Sequence, residues 1–358
     1  MSTPQELELD APIVGKSRWR NIASIVMGLV MLGFLVRFVA GVDAATLVRE
    51  LTSANPLLLL AALGAFVSAF ALRPLRWHSL LANAGGNLAY GRTTSIFLRA
   101  WAINCLVPAK VGDVWRAVRG AAAAQLPVGA VLGGIVAERA FDLLALALLA
   151  SAGGLLSAGN APESVRGPLM LVGLGLGVGT ICAGLVLRFV GRPVLARLVP
   201  QRFSGLLDHF EHFAAAIFSL RPRRVATLAV LTVAIWSAEA LRVALVMSAV
   251  GVGSGDLLSL LPTAAFVAVV AALLTAVPLS PGGLGLTEAG MVGVLVALLG
   301  LDPATAAVVA LLDRIVSTFS ILVFAGVDQL YSLAHARITG RADRGATPPK
   351  RTEVEANS

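Results

Sequence analysis

The sequence predicts an all-α fold: a polytopic transmembrane helical bundle with inverted repeats and two re-entrant helical hairpins. Three observations predict it. Of 358 residues, 57% are apolar and 13% charged, whereas an ordinary soluble domain is about one quarter charged. The apolar residues gather in runs long enough to cross a hydrocarbon layer of about 30 Å. Two of those runs are broken by Pro/Gly segments at corresponding places in two halves of the chain. This composition excludes a soluble domain and a disordered chain. Cys105 and Cys182, both in apolar runs, supply neither a disulfide framework nor a thiol metal site. In such a chain the excess of 28 Lys and Arg over 20 Asp and Glu bears on loop sidedness, so no nucleic-acid partner is expected.

In chain order, residues 1–21 form a cytoplasmic N-terminal segment, 22–333 the membrane domain, and 334–358 a disordered cytoplasmic tail. Six runs have the form of full crossings: 22–42, 56–72, 127–156, 168–187, 225–250 and 303–331. The first follows basic residues but is long and lacks a small-residue cleavage site, so it reads as an uncleaved span. The two interrupted runs are 93–125, broken at Pro108-Ala-Lys-Val-Gly112, and 257–299, broken at Pro278-Leu-Ser-Pro-Gly-Gly-Leu-Gly285. Between them, at about 201–220, Phe203, Leu206, Leu207, Phe210, Phe213 and Ile217 recur at helical spacing opposite Asp208, His209, Glu211 and His212. That pattern predicts a helix on the inner leaflet.

Positive charge tests the sidedness. With both termini inside, 21 Lys and Arg fall in inner segments and only Arg49 and Arg166 in outer ones; Arg37, Arg99, Arg139, Arg242 and Arg314 fall within apolar runs. The asymmetry requires each interrupted run to enter and leave on one side, as a re-entrant hairpin does. The halves also repeat. Arg73, the break at Pro108 to Gly112 and Arg139 correspond to Arg242, the break at Pro278 to Gly282 and Arg314, and Glu138 beside Arg139 matches Asp313 beside Arg314. Repeat one is about 56–157 and repeat two about 225–331, entering from opposite faces. Inverted repeats with broken helices are a transporter architecture in which the tips form the substrate site near the midplane.

The candidate site follows from the breaks. Free backbone N–H groups at Gly112, Gly282 and Gly283 would favour an anion, with Lys110, Asp113 and Arg116 on the first tip and Ser280 on the second. Asn104 precedes the first break. Glu138, Arg139, Asp142, Glu288, Asp313 and Arg314 lie in or beside apolar runs, where an isolated charge costs about 2.5–3.5 kcal/mol on insertion scales. These residues form the expected substrate-binding set, with arginines on an anionic group and carboxylates offsetting them or carrying protons. Arg73, Arg99, Glu239 and Arg242 are expected in structural or coupling roles. Mutually neutralised struts joining the repeats are the competing account of the same charges. Asp328, nearer a span end, is expected to snorkel.

No cofactor or metal is expected. Gly173-Leu-Gly-Leu-Gly-Val-Gly179 lies in a span without βαβ context, and the His209/His212 cluster reads as a solvated helix face. No catalytic Ser-His-Asp, His-Glu-x-x-His or Cys nucleophile pattern occurs.

Asn104-Cys-Leu-Val-Pro-Ala-Lys-Val-Gly-Asp-Val-Trp-Arg116, Glu138-Arg-Ala-Phe-Asp142 and Pro278-Leu-Ser-Pro-Gly-Gly-Leu-Gly-Leu-Thr-Glu288 resemble the signatures of the lysylphosphatidylglycerol synthase transmembrane-region family, the flippase-like domain proteins. The resemblance covers roughly 22–331. Lys110 and Asp113 stand where the family pattern suggests a basic residue and often Glu. It implies translocation of lipids between leaflets, and without a soluble aminoacyl-transferase domain it does not imply lipid aminoacylation. The expected function is therefore an integral plasma-membrane protein, not an enzyme, that binds an anionic lipid headgroup, phospholipid or polyprenyl phosphate, and passes it across the bilayer. An integral-membrane transferase on a lipid-linked substrate, or a non-transporting membrane subunit, is the alternative. Expected partners are the lipid, the bilayer, and a second copy or a separate lipid-modifying enzyme.

Overall fold

Asn55 starts a 28-residue helix: its side-chain oxygen accepts from the Leu57 and Leu58 amides at 3.0 and 3.4 Å, and Pro56 occupies the first helical position, where its missing N–H costs nothing. The computed structural model describes residues 44–107, 110–156, 163–198, 205–253, 256–277 and 281–345, and every regular element among them is helical. They are α1 (Ala44–Ser53), α2 (Pro56–Asn83), α3 (Tyr90–Leu106), α4 (Val111–Ala124), α5 (Val128–Leu156), α6 (Glu163–Val186), α7 (Arg192–Leu198), α8 (Gly205–Phe218), α9 (Pro222–Ala249), α10 (Leu257–Ala276), α11 (Leu286–Leu299), α12 (Pro303–Arg314) and α13 (Ser320–Gly345). A π turn, Leu187–Gly191, joins α6 to α7, and another, Ile315–Phe319, joins α12 to α13. The expected first span, 22–42, lies outside the described residues.

Among the described residues five segments are long and apolar enough to cross a membrane: Pro56–Asn83, Met170–Arg197, Pro222–Ala249, Leu257–Ala276 and Pro303–Ser332. The 29 residues of α5 reach about 43 Å at 1.5 Å per residue, but this helix carries Glu138, Arg139 and Asp142. Helix α10, expected as a hairpin arm, is one of the five.

Three expectations change. Helix α2 does not stop at 72; it runs through Pro74 to Asn83. Arg73 and Arg76, assigned to an inner loop, are consequently buried in its body at 6% and 3% exposure. Proline removes only one helical hydrogen bond, and extensive packing of α2 on α9 holds the rest. Second, α8 is seated on α5 as well as being amphipathic. Gly129 and Gly133 lie directly under the His209 and Phe213 carbonyls, where a Cβ would collide; glycines four apart let two helix backbones approach this closely. Residues 201–204 of that expected helix lie outside the described residues. Third, α13 continues to Gly345, past the expected boundary at 333.

The corresponding helices α2 and α9 run antiparallel along their length. Asn55 N–H donates to the Ala249 carbonyl at 2.8 Å, Arg73 meets Glu239 midway, and Arg224 donates to Ser79 at 3.0 Å at the other end. In the order of elements, 28-residue α2 matches 28-residue α9, and 14-residue α4 matches 14-residue α11. Helix α9 is the central element, with 61% of its apolar window buried, whereas only 6% of the Met170–Arg197 window is buried and that span lies at the rim.

Candidate functional site

Each break is built differently. In the first, α3 ends at Leu106 and α4 begins after Lys110, a non-glycine residue in the left-handed region (φ 55, ψ 33), which costs an L-residue about 1–2 kcal/mol. A Cβ on Gly112 would collide with the Ala100 carbonyl and the Asn104 side chain, so glycine is what lets α4 lie against α3. In the second, Gly282, Gly283 and Gly285 all have positive φ (57°, 73° and 84°), a conformation glycine adopts freely. The Gly285 N–H donates to Glu288 Oε2 at 2.5 Å, and Gly282 O accepts from Arg314. The two breaks meet: a Cβ on Gly282 would stand 3.4 Å from the Cys105 backbone at the end of α3.

Where they meet, a cavity of about 410 Å³ opens among α2, α3, α4, α5, α9, α10 and the α12–α13 junction. Arg73, Lys110, Arg139, Arg242 and Arg314 line it, with Asp113, Asp142, Glu239 and Asp313. These charges resolve into clusters. Arg76 grips Asp142 bidentately at 2.7 and 3.0 Å and lies 3.9 Å from Glu138; Arg116 donates to Glu138 at 2.7 Å; Arg139 reaches Asp113 at 3.3 Å and Asp142 at 3.6 Å. Three arginines thus face three carboxylates. In the second cluster Glu239 bridges Arg73 (2.5 Å) and Arg242 (3.0 Å), and Arg242 also holds Asp313. In the third, Arg314 pairs with Glu288 at 2.7 Å. Every cluster is formally neutral. Lys110 alone among the described cavity-lining cations makes no ion pair with a described residue.

Of the expected binding residues, Asn104, Lys110, Asp113, Arg139, Asp142, Gly282, Asp313 and Arg314 line the cavity. Gly112, Arg116, Glu138, Gly283 and Glu288 do not. Arg116 is buried at 2%, its guanidinium between the Trp77 and Phe97 rings at 5.0 and 4.8 Å, and Glu138 is buried behind it. These two brace the wall, as does Glu288 at the foot of α11. Ser280 lies outside the described residues. Arg73, Glu239 and Arg242, expected in coupling roles, line the cavity itself. Arg99 does not line it: it ties α3 to α13 through Asp328 at 2.8 Å, so Asp328 is a half-buried ion-pair partner.

Sequence reasoning missed Arg76, Trp101, Trp236, Thr275, Ser317 and Thr318. Arg73 lies over the Trp101 ring (4.8 Å) and the Trp236 ring (5.8 Å), and Trp236 Nε1 donates to Asp142 at 3.1 Å. Helical spacing could have found some of these, since Trp236 is three residues before Glu239 and Ser317 is four after Asp313. Ser317 and Thr318 lie on a π turn, an element that recurs at functional sites.

The arrangement places one ammonium that makes no ion pair with a described residue and one loosely held guanidinium, Arg139 with 44% of its side chain accessible, in the lining of the cavity. Such a set has the charge to suit an anionic group. The family model for the lysylphosphatidylglycerol synthase TM region matches residues 21–325. Glycosyltransferase AglD of Haloferax volcanii is 26% identical over 342 residues, 87% of this chain and 54% of that protein. The UPF0104 membrane protein MJ1078 of Methanocaldococcus jannaschii is 28% identical over 228 residues, 63% of this chain and 92% of its own. The chain thus spans about half the length of AglD. That relative overturns the expectation of a non-enzyme: a protein similar to most of this chain is named a glycosyltransferase.

Proposed function

This chain belongs to the lysylphosphatidylglycerol synthase TM-region family of multi-pass membrane proteins, and we propose that its central cavity holds the phosphate of an anionic lipid headgroup and passes it between leaflets. The observation that carries the reading is charge. Among the described residues three neutral clusters surround the cavity, and Lys110 makes no ion pair in any of them. An unpaired cation inside a membrane bundle is costly, and a phosphodiester monoanion would cancel it. Arg139 would donate hydrogen bonds to it.

The breaks serve this function as irregular backbone that lines a polar cavity, the one setting in which hydrocarbon tolerates it. The antiparallel pairing of α2 with α9 supports repeats of opposite insertion, with each break at the tip of a re-entrant hairpin. Removing Arg73, Arg76, Lys110 and Arg116 from the inner loops still leaves 17 basic residues against two, which supports cytoplasmic termini.

A leaflet-sidedness assay in proteoliposomes with fluorescent phosphatidylglycerol tests the reading. Wild type should move the lipid, and Lys110→Ala should lower headgroup affinity at least tenfold; absence of movement in wild type overturns translocation. The name of AglD favours a second reading, in which the cavity presents a lipid-linked substrate for group transfer. It predicts a lipid of altered mass after incubation, where translocation leaves the mass unchanged.

A further inference from the structure

The cavity is charged at one end only. Along α5 the charged positions Arg139 and Asp142 give way to Leu143 and Leu146. Along α10, Thr275, next to the second break, gives way to Ala272, Ala271 and Ala268. Seven residues of helix separate the two ends on each side, about 10 Å. Trp236 marks the boundary: its indole N–H donates to Asp142, and its ring packs with Leu146 and Val269, as an amphipathic side chain does at a polar–apolar border.

We propose that this seam between α5 and α10 is the site for the hydrocarbon chain of the lipid whose headgroup lies at Lys110; the assignment rests on the headgroup reading above. Three features favour it over the other apolar lining. Phe66 and Ile321 are closed into the main core at 3% and 2% exposure; in the seam Leu146 and Ala268 are as buried, but Leu143, Ala271, Ala272 and Leu273 are half-buried and line the cavity. The α10 side presents small side chains to the cavity at Ala268, Ala271 and Ala272, which take up less of its width than leucines would. Beyond the seam stands α6, the span with the smallest buried share, reaching it through Leu176. A chain leaving by this route passes from the cavity to the rim of the bundle without crossing a charge.

The test uses purified full-length protein in nanodiscs and two probes. One is glycerophosphoglycerol, the deacylated phosphatidylglycerol headgroup; the other is phosphatidylglycerol with a photoreactive diazirine at mid-chain. In wild type the diazirine should label Leu143, Leu146 or residues 268–273. Ala272→Trp should weaken phosphatidylglycerol binding at least tenfold and leave glycerophosphoglycerol affinity unchanged. Labelling confined to outward positions such as Leu171 and Leu174, with glycerophosphoglycerol still bound, overturns the chain site alone. Seam labelling without glycerophosphoglycerol binding supports the chain site and overturns the headgroup reading. Loss of both overturns both. The wild-type labelling result stands if the tryptophan variant does not fold.

Discussion

The two breaks solve one problem, irregular backbone inside a membrane bundle, with different chemistry. The second is stitched to its own polypeptide: three glycines take the positive φ angles, Glu288 caps Gly285, and Arg314 holds the Gly282 carbonyl. The first uses side chains for side chains. Asp113 takes Asn104 at 3.1 Å and Arg139 at 3.3 Å, and a lysine occupies the left-handed position. A break satisfied internally is a fixed wall. The other, held by longer pairs that face the cavity, can exchange a partner for a ligand.

If the second break is a wall, removing its brace should harm folding most. Arg314→Ala leaves Glu288 buried and unpaired, and breaking such a pair costs about 3–5 kcal/mol; thermal unfolding in detergent should show the largest loss in this variant. Gly112→Ala sharpens the comparison at the first break, since its Cβ meets the fixed Ala100 carbonyl, and overpacking of this kind costs about 1–3 kcal/mol. Arg139→Ala should separate stability from function. Its side chain is 44% accessible, and a pair of that exposure is worth about 1 kcal/mol or less, yet lipid affinity should fall at least tenfold in a binding titration. The smallest effect on folding should come from Lys110→Gly, which relieves the left-handed strain and should stabilise by about 1 kcal/mol while abolishing the charge the ligand needs. A stable Arg314→Ala with normal unfolding would break the distinction.

Much of this was legible in the residues. Asn55-Pro56 marks a helix start, and the Pro/Gly breaks locate the cavity because few other residues interrupt an apolar run. The burial of Asp142, Asp313 and Arg314 follows from their place in long apolar segments. Arg76 was not legible. Arg73-Pro74-Leu75-Arg76 reads as a span end, and its partner Asp142 lies 66 positions away. The sorting of Arg116 and Glu138 into the wall was hidden for the same reason, since each shares a helix with a cavity residue, Asp113 or Arg139, and the rotation of that helix is set by its neighbours.

Local information fixes what this chain must do anywhere it is placed. Its hydropathy demands a bilayer, its glycines and prolines demand interruptions, and its buried charges demand partners. Which charge meets which was settled by packing across distant helices, because opposite charges attract without regard to separation along the chain. The same packing left Lys110 without an ion pair to any described residue, a fact about geometry that no reading of neighbouring residues contains.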